Sequence, residues 1–161
     1  MPKADGRSAL ESLMAADVRA LTAESDEIGR YFAARHQVAA NDFRALLHVM
    51  VAETAGTPLT AGELRKQMGL SAAAITYLVE RMIASGHFLR ESDPADRRKV
   101  ILRVADHGMN VARGFFMPLA EQTHDALTGF SDEELTVAHR VFAALVDAMR
   151  GFRRELDATS G

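Results

Sequence analysis

Two adjacent arginines, Arg97 and Arg98, are the clearest candidates for chemistry in the sequence, and that chemistry is the binding of an anion. They follow residues 93–96, Asp-Pro-Ala-Asp, which have the residue types of a polar turn. Residues 60–105 carry 8 Lys or Arg and 5 Asp or Glu, a net charge of +3. The rest of the chain has 11 basic and 17 acidic residues, a net charge of −6. This distribution indicates one surface suited to an anionic partner.

For catalysis and metal binding, the sequence contains only fragments of the known motifs. Cys is absent, which excludes cysteine nucleophiles, thiolate zinc sites and iron–sulfur clusters. Glu121 and His124 have the spacing of a metal-binding pair, but the second such pair of a di-metal bundle is missing. Residues 69–73, Gly-Leu-Ser-Ala-Ala, match a hydrolase nucleophile elbow with one mismatch and without a preceding strand. We therefore expect no enzymatic activity, no metal and no cofactor.

Two of the six histidines, His36 and His107, allow two interpretations, either side-chain packing or the lining of a ligand pocket. The 161 residues, 48% hydrophobic and 25% charged, suit one soluble domain. No apolar run is long enough to cross a bilayer, and the first residues do not resemble a secretory signal. We expect a cytoplasmic protein.

The elements that must position these residues are mostly helices. Apolar residues at three- and four-residue steps predict a long amphipathic helix over about residues 8–39. A second helix is predicted over about 42–55, with Asn41 as its N-cap. Its apolar face is formed by Phe43, Leu46, Leu47 and Met50.

The next two predicted helices form a helix-turn-helix. Thr60 and Glu63 have the spacing of a capping box for a short helix over 61–68, which Gly69 ends. Ser71 caps the following helix, which stops at Gly86. A short helix and a longer one joined by a tight turn are typical of this motif.

A β-hairpin follows directly after the second helix of this motif. Residues 87–91 and 99–104 are extended runs that contain apolar side chains, and the polar segment 92–98 lies between them. A hairpin in this place is a wing, and its tip carries Arg97 and Arg98.

The last third of the sequence predicts two more helices. One covers about residues 107–127, and Pro118 should kink it. Ser131 and Glu134 form a second capping box, and the tail from Glu155 to Gly161 is expected to fray. The final helix has an apolar seam with the spacing of a packed helix pair. The seam residues are Leu135, Ala138, Phe142, Leu145, Met149 and Phe152.

The order of these elements and their residues together resemble the MarR family of bacterial transcription regulators. Asp96 and Arg98 stand in the two fixed places of the D-x-R wing motif of that family. Residues 70–86 are similar to its recognition helix and closing glycine. Ala105 replaces the Thr that usually caps the next helix, so Asp106 is the alternative cap.

The resemblance implies a single domain over 1–161 and a homodimer. Helices over about 8–39 and 107–154 would form the dimer interface, and a lobe over about 42–105 would bind a pseudo-palindromic DNA operator. It also implies a repressor released by a small phenolic or anionic ligand. The alternatives are an activator, a DNA-binding protein without an effector, and a metal-responsive regulator.

Within this resemblance the helix after Ser71 enters the major groove by its N-terminal end. The candidate DNA-binding residues are Ser71, Ala73, Ala74, Thr76, Tyr77, Arg81, Arg97 and Arg98. Three of them have a second interpretation. Ser71 is also a plain helix cap, Tyr77 a packing residue, and Arg81 an ion-pair partner of Glu80 or Glu63. Tyr77 stands where the family often has Arg, and residues 72–74 are all Ala, so contacts there would be apolar.

At the wing, the D-x-R motif assigns insertion into the minor groove to Arg98, while Arg97 faces phosphate or solvent. Asp96 is predicted to support the wing by accepting a hydrogen bond from the Arg98 guanidinium. The alternative is that Asp96 and Arg98 only hold the wing together. A wing used for protein contacts is a further alternative, which the doubled arginine disfavours.

Overall fold

The computed structural model describes residues 3–159, and it has the mainly helical fold with one hairpin that the sequence predicts. Its elements in chain order are α1 Lys3–His36, α2 Ala40–Thr54, α3 Ala61–Met68, α4 Ala72–Ala84, β1 Phe88–Ser92, β2 Val100–Val104, α5 Asp106–Leu127 and α6 Asp132–Thr159. The chain divides into two compact units between Phe115 and Phe116, within α5. No helix in the described range 3–159 has the length and apolar character needed to span a membrane.

The core of the first unit is built around α2, α3, α4 and the hairpin, which contact one another. Its largest fully buried side chains are Phe32, Leu46, Leu64, Met82, Phe88, Ile101, Leu102, Val49 and Val79. The buried face of α2 differs from the predicted one, because Leu47 is exposed while Ala45 and Val49 are buried.

The hairpin pairs in antiparallel register from Phe88 opposite Val104 to Ser92 opposite Val100. Strand β2 is also attached along its other edge. The Leu102 amide donates a 2.8 Å hydrogen bond to the Leu59 carbonyl, and Thr60 forms a β-bridge with Ile101. The segment before α3 therefore fastens the wing to the helix-turn-helix.

Four helices end in the same way, with one residue in the left-handed conformation. Gly56, Gly69 and Gly86 take this position after α2, α3 and α4, at φ of 71°, 65° and 76°. After α1 the residue is Gln37, at φ 53°. The Val38 amide then bonds back to the Ala33 carbonyl at 2.9 Å, which is the pattern of a Schellman cap. Helix α1 therefore ends at His36 and not near residue 39.

Other predicted boundaries are also corrected. The N-cap of α2 is Ala39, without a side-chain hydrogen bond, because α2 starts at Ala40 and takes Asn41 into its first turn. Helix α1 begins by Lys3, five residues before its predicted start, and α6 continues to Thr159 where a frayed tail was expected. Residues 160 and 161 lie outside the described range.

The predicted caps elsewhere are confirmed. Thr60 and Glu63 form a reciprocal capping box, and Ser131 and Glu134 form another at the start of α6. Ala105 occupies the cap position of α5, since its carbonyl accepts the Met109 amide at 2.9 Å. Asp106, the alternative cap, is instead the first helical residue.

The second unit contains the end of α5 and all of α6. Helix α6 has no buried residue along its described length. Leu135 and Leu145 of the predicted seam are half-buried, while Phe142, Met149 and Phe152 are exposed. The apolar seam is thus uncovered in the single chain.

Candidate nucleic-acid interface

Helix α4 presents one face to the core and the opposite face to solvent. Its buried side chains are Ile75, Leu78, Val79 and Met82, at the spacing of one helical stripe. The predicted contact residues Ser71, Ala73, Ala74, Thr76 and Tyr77 are all exposed. The fold therefore brings these five residues together on the outer face and N-terminal end of α4.

The start of α4 is held by its own cap. Ser71 Oγ accepts the Ala74 amide at 3.1 Å, so the cap interpretation of Ser71 is confirmed. The Thr76 hydroxyl donates to the Ala72 carbonyl at 2.9 Å. Both hydroxyl oxygens thus have a local partner, and the first turn of α4 presents only small side chains between them.

Arg81 is the one α4 candidate that is tied to another helix. Its Nε donates to Asp42 Oδ2 at 2.8 Å and its Nη2 donates to Asp42 Oδ1, which makes a bidentate pair. The carboxylate of Asp42 raises the pKa of Arg81 above its ordinary value. The suggested pairing with Glu80 or Glu63 was wrong, since Glu80 pairs with Arg90 at 2.6 Å.

The tip of the wing is a turn held by two aspartates. Asp93 Oδ1 accepts the Ala95 amide at 2.8 Å, and Asp96 Oδ1 accepts the Arg98 amide at 3.1 Å. The Asp96 carboxylate therefore bonds the backbone of Arg98 and not its guanidinium, which corrects the predicted contact. Within residues 3–159 the side chains of Arg97 and Arg98 are exposed and make no ion pair.

The base of the wing is anchored by a group that the sequence analysis did not single out. Glu53 Oε1 of α2 accepts the Val104 amide at 3.2 Å and lies 3.8 Å from Arg103 Nη1. Arg103 also pairs with Glu91 across the hairpin, at 3.3 Å. Burial raises the pKa of Glu53, although the Val104 hydrogen bond and Arg103 oppose that shift.

The first unit also contains a groove between α1 and α2 with a volume of about 640 Å³. It is lined by Ser25, Asp26, Gly29, Arg30, Ala33, Ala40, Phe43, Arg44 and Leu47. Neither His36 nor His107 lines this groove. The His36 ring lies 4.7 Å from the Phe32 ring, and His107 packs edge-on against His87 at 5.5 Å.

The fragments of catalytic motifs lie at exposed positions of the chain. Ser71 follows a helix and a turn, so the strand that a nucleophile elbow needs does not precede it. Glu121 and His124 are exposed on α5. In the described part of the chain no three His, Asp or Glu side chains are grouped to hold a metal ion.

Comparisons with known proteins point to one family. The sequence model of the MarR family matches residues 36–99, from the end of α1 to the wing. An uncharacterized HTH-type transcriptional regulator, YcgE of Bacillus subtilis, is 37% identical over 92 residues, which are 57% of this chain. The match covers 60% of the length of that relative.

Solved structures share the fold over a larger part of the chain. A MarR family protein from Bacillus stearothermophilus has a TM-score of 0.59 at 25% identity, covering 93% of this chain and 99% of that one. A variant of S. aureus MepR bound to an oligodeoxyribonucleotide has a TM-score of 0.51 at 12% identity, covering 84% and 97%. MepR has also been solved with ethidium bromide, at a TM-score of 0.52 and 12% identity, covering 84% and 95%. The helix-turn-helix, the wing and the matched sequence agree: the chain is similar to the MarR family of winged helix-turn-helix transcription regulators, by the sequence match over residues 36–99 and by the fold that it shares with a MarR family protein.

Proposed function

We propose that the chain is a homodimeric, sequence-specific DNA-binding regulator of transcription that acts in the cytoplasm. The observation that carries this proposal is the pairing of two exposed surfaces within one unit. One is the capped, uncharged face of α4 from Ser71 to Tyr77, and the other is the arginine pair at the wing tip. A helix of this kind suits the major groove, and arginines on a hairpin suit the minor groove.

Each surface has a distinct task in the proposed complex. Ser71, Ala73, Ala74, Thr76 and Tyr77 approach base edges and adjacent phosphates at the N-terminal end of α4. Arg98 enters the minor groove, where a narrow A·T-rich segment concentrates negative potential. Arg97 neutralises phosphate. Asp96 supports the wing by holding the backbone of Arg98 in its turn.

The homodimer is supported by the apolar residues that a single chain leaves uncovered. Phe142, Met149 and Phe152 of α6 are exposed, and so are Leu10 and Leu13 of α1. Obligate interfaces bury about 2,000 Å² or more, which long helices with such faces can supply. Two-fold symmetry of the protein then requires a pseudo-palindromic operator with half-sites about one helical turn apart.

We further propose that the regulator is a repressor released by a small phenolic or anionic ligand. The groove between α1 and α2 supports this, because it combines the Phe43 ring with the side chain of Arg44. A ligand there acts only if it binds the DNA-bound and the free spacing of the two recognition helices with different affinity. Salicylate is the probe, and reciprocal weakening of operator and salicylate binding is the expected result.

The experiment that tests DNA binding uses the DNA upstream of the protein's own coding region. Footprinting should show two symmetric protected segments, and affinity should fall steeply with salt because Arg and Lys release counterions from phosphate. Arg98→Ala should weaken binding by about 1–3 kcal/mol, the scale of one specific contact. Absence of protection at low salt, for this DNA and for a pool of genomic fragments, would refute the proposal. A reporter gene with and without the protein gives the sign of regulation.

A further inference from the structure

Three side chains form a continuous contact from the inside of the first unit to the outer face of α4. Asp42 of α2 is 4% exposed, Arg81 lies at the border of the core, and Tyr77 is 69% exposed. Arg81 contacts both of the others. Resting on the proposed function, we infer that Tyr77 is the specificity-determining residue of α4 and that Arg81 is a positioning residue that fixes its ring.

The first contact fixes the plane of the Arg81 guanidinium. Two parallel hydrogen bonds to the two carboxylate oxygens of Asp42 leave the guanidinium little rotational freedom. Asp42 belongs to α2 and is itself buried, so the anchor does not move with the surface of α4. Lys could supply the charge but not this two-point geometry.

The second contact, between the fixed Arg81 guanidinium and Tyr77, restricts the motion of the Tyr77 ring. The central carbon of the Arg81 guanidinium lies 4.8 Å from the centre of the Tyr77 ring, within the range of a cation–π contact. The two residues are four apart on one helix, where side chains are neighbours. An exposed Tyr would otherwise lose rotamer freedom on binding, so a ring held in advance binds with a smaller entropic cost.

The charged side chains of α4 already have ion-pair partners, and this leaves base recognition to Tyr77. Arg81 is neutralised by Asp42, and Glu80 is paired with Arg90. The other predicted contacts on α4 are Ser, Ala and Thr, whose hydroxyls already have local partners. The Tyr77 O–H can donate to a base-edge acceptor, and its ring edge can contact a thymine methyl group.

Direct base contact by Arg81 would require the opposite arrangement. Its guanidinium would have to leave Asp42, and a buried carboxylate would then stay without its partner, which is unfavourable. In the inferred complex the base contact and the cation therefore belong to different residues, Tyr77 and Arg81. The small side chains at residues 72–74 leave the Tyr77 ring free to approach the groove.

The first test needs no DNA. The chain has two Tyr and no Trp, so Tyr31→Phe leaves Tyr77 as the single fluorophore of this type. Arg81→Lys should increase the amplitude of the fast decay of Tyr77 fluorescence anisotropy, because the planar guanidinium that contacts the ring is removed. Glu80→Gln, at a residue whose carboxylate pairs with Arg90, is the control and should leave it unchanged. Equal ring mobility with Arg and Lys at residue 81 would overturn the positioning role.

The second test is a double-mutant cycle of Tyr77→Ala and Arg81→Lys on operator binding by the full chain. Tyr77→Ala should reduce operator affinity about 30-fold and leave affinity for random DNA unchanged. Arg81→Lys should reduce operator affinity about 5-fold, yet have no further effect when Tyr77 is already Ala. If the losses of operator affinity in the two single variants add up in the double variant, Arg81 contacts DNA itself and the inference is overturned. The same holds if the salt dependence of operator affinity decreases in an Arg81→Gln variant by the amount of about one phosphate contact.

The two tests separate this inference from the proposed function. A wild-type chain that binds no DNA refutes the regulator and the role of Tyr77, while the ring-mobility result still decides the role of Arg81. A wild-type chain that binds its operator, with Tyr77→Ala as tight as wild type, refutes only the inference. Thermal unfolding of each variant shows that the compared proteins are folded, and Arg81→Lys keeps a cation beside the buried Asp42 for that reason.

Discussion

Gly29 of α1 lies directly against the ring of Phe43 of α2. A Cβ atom added to Gly29 would stand 2.5 Å from Cε1 of Phe43, closer than carbon atoms can approach. Phe43 is restrained on one side, because its ring packs 5.1 Å from the ring of the buried Phe32. The glycine that weakens α1 as an isolated helix is therefore required by the close approach of α2.

Gly29→Ala should destabilise the protein for this reason. Overpacking the contact with the Phe43 ring costs about 1–3 kcal/mol, which exceeds the gain of about 0.5–1 kcal/mol from replacing Gly in a helix. Gly114→Ala in α5 is the matched control, since nothing lies within 4 Å of its added Cβ, and it should be stabilising. Urea unfolding of both variants measures the difference. Equal stabilisation of both would show that α1 and α2 do not approach so closely.

Asp96 should support the wing through an acceptor oxygen and not through its charge. Its Oδ1 accepts the Arg98 backbone amide, and Asn offers the same acceptor while Ala does not. Asp96→Ala should therefore weaken operator binding by about 1 kcal/mol, the scale of one hydrogen bond, and Asp96→Asn by much less. Fluorescence-anisotropy titrations give both values. Equal losses of operator affinity in Asp96→Ala and Asp96→Asn would instead favour a charge-assisted contact between Asp96 and the Arg98 guanidinium.

Acid should destabilise the first unit through His87. Burial lowers the pKa of His87, the neighbouring His107 and His36 act in the same direction, and Asp42 opposes them. The unfolded chain then takes up a proton at this residue below about pH 6.5 that the folded chain does not. As the pH is lowered through that range, the free energy of unfolding should decrease, by at most about 1.4 kcal/mol per pH unit for one proton.

The variant that checks this is His87→Asn, which removes the titration and keeps a polar partner for the Ser85 hydroxyl, now 2.8 Å from His87 Nδ1. Its unfolding free energy should depend less on pH between 8 and about 5.5. An unchanged slope in His87→Asn would place the proton uptake elsewhere.

The seam of α6 should carry the dimer. Phe142→Asp puts a charge on a side chain that is 50% exposed in the single chain and that dimerisation would bury. Light scattering after size exclusion should show monomer or aggregate. Val137→Asp, 55% exposed but off the seam, should stay a dimer. A wild-type chain that is monomeric at micromolar concentration would contradict the prediction.

The sequence predicts a structural feature well when the residues that determine it are close together in the chain. The capping box of Thr60 and Glu63 and the end of α3 at Gly69 are encoded within a few residues, and both are confirmed. The end of α1 was placed too late, because Gln37 adopts a conformation that glycine usually marks. The neighbouring sequence gives no sign of this.

The proposed DNA-binding surface also combines features that the local sequence predicts with features that only tertiary packing creates. The exposed face of α4 follows from helical periodicity, and the arginine pair follows from the turn that presents it. The partner of Arg81 does not, since Asp42 is 39 residues away and meets it only when α2 and α4 pack. The bond from Glu53 to the Val104 amide, 51 residues apart, is also a product of tertiary packing.

Thr60 belongs at once to a helix cap and to the edge of the hairpin. Its side chain accepts the Glu63 amide, and its backbone bridges Ile101, next to the Leu102 amide that bonds Leu59. Local unfolding of the α3 cap or of the β2 edge exposes Thr60 in both cases, so the helix-turn-helix and the wing should open as one cooperative unit. In hydrogen exchange the amides of Glu63 and Leu102 would then share one opening free energy. The two surfaces proposed to bind DNA would keep their relative placement during any fluctuation short of opening that unit.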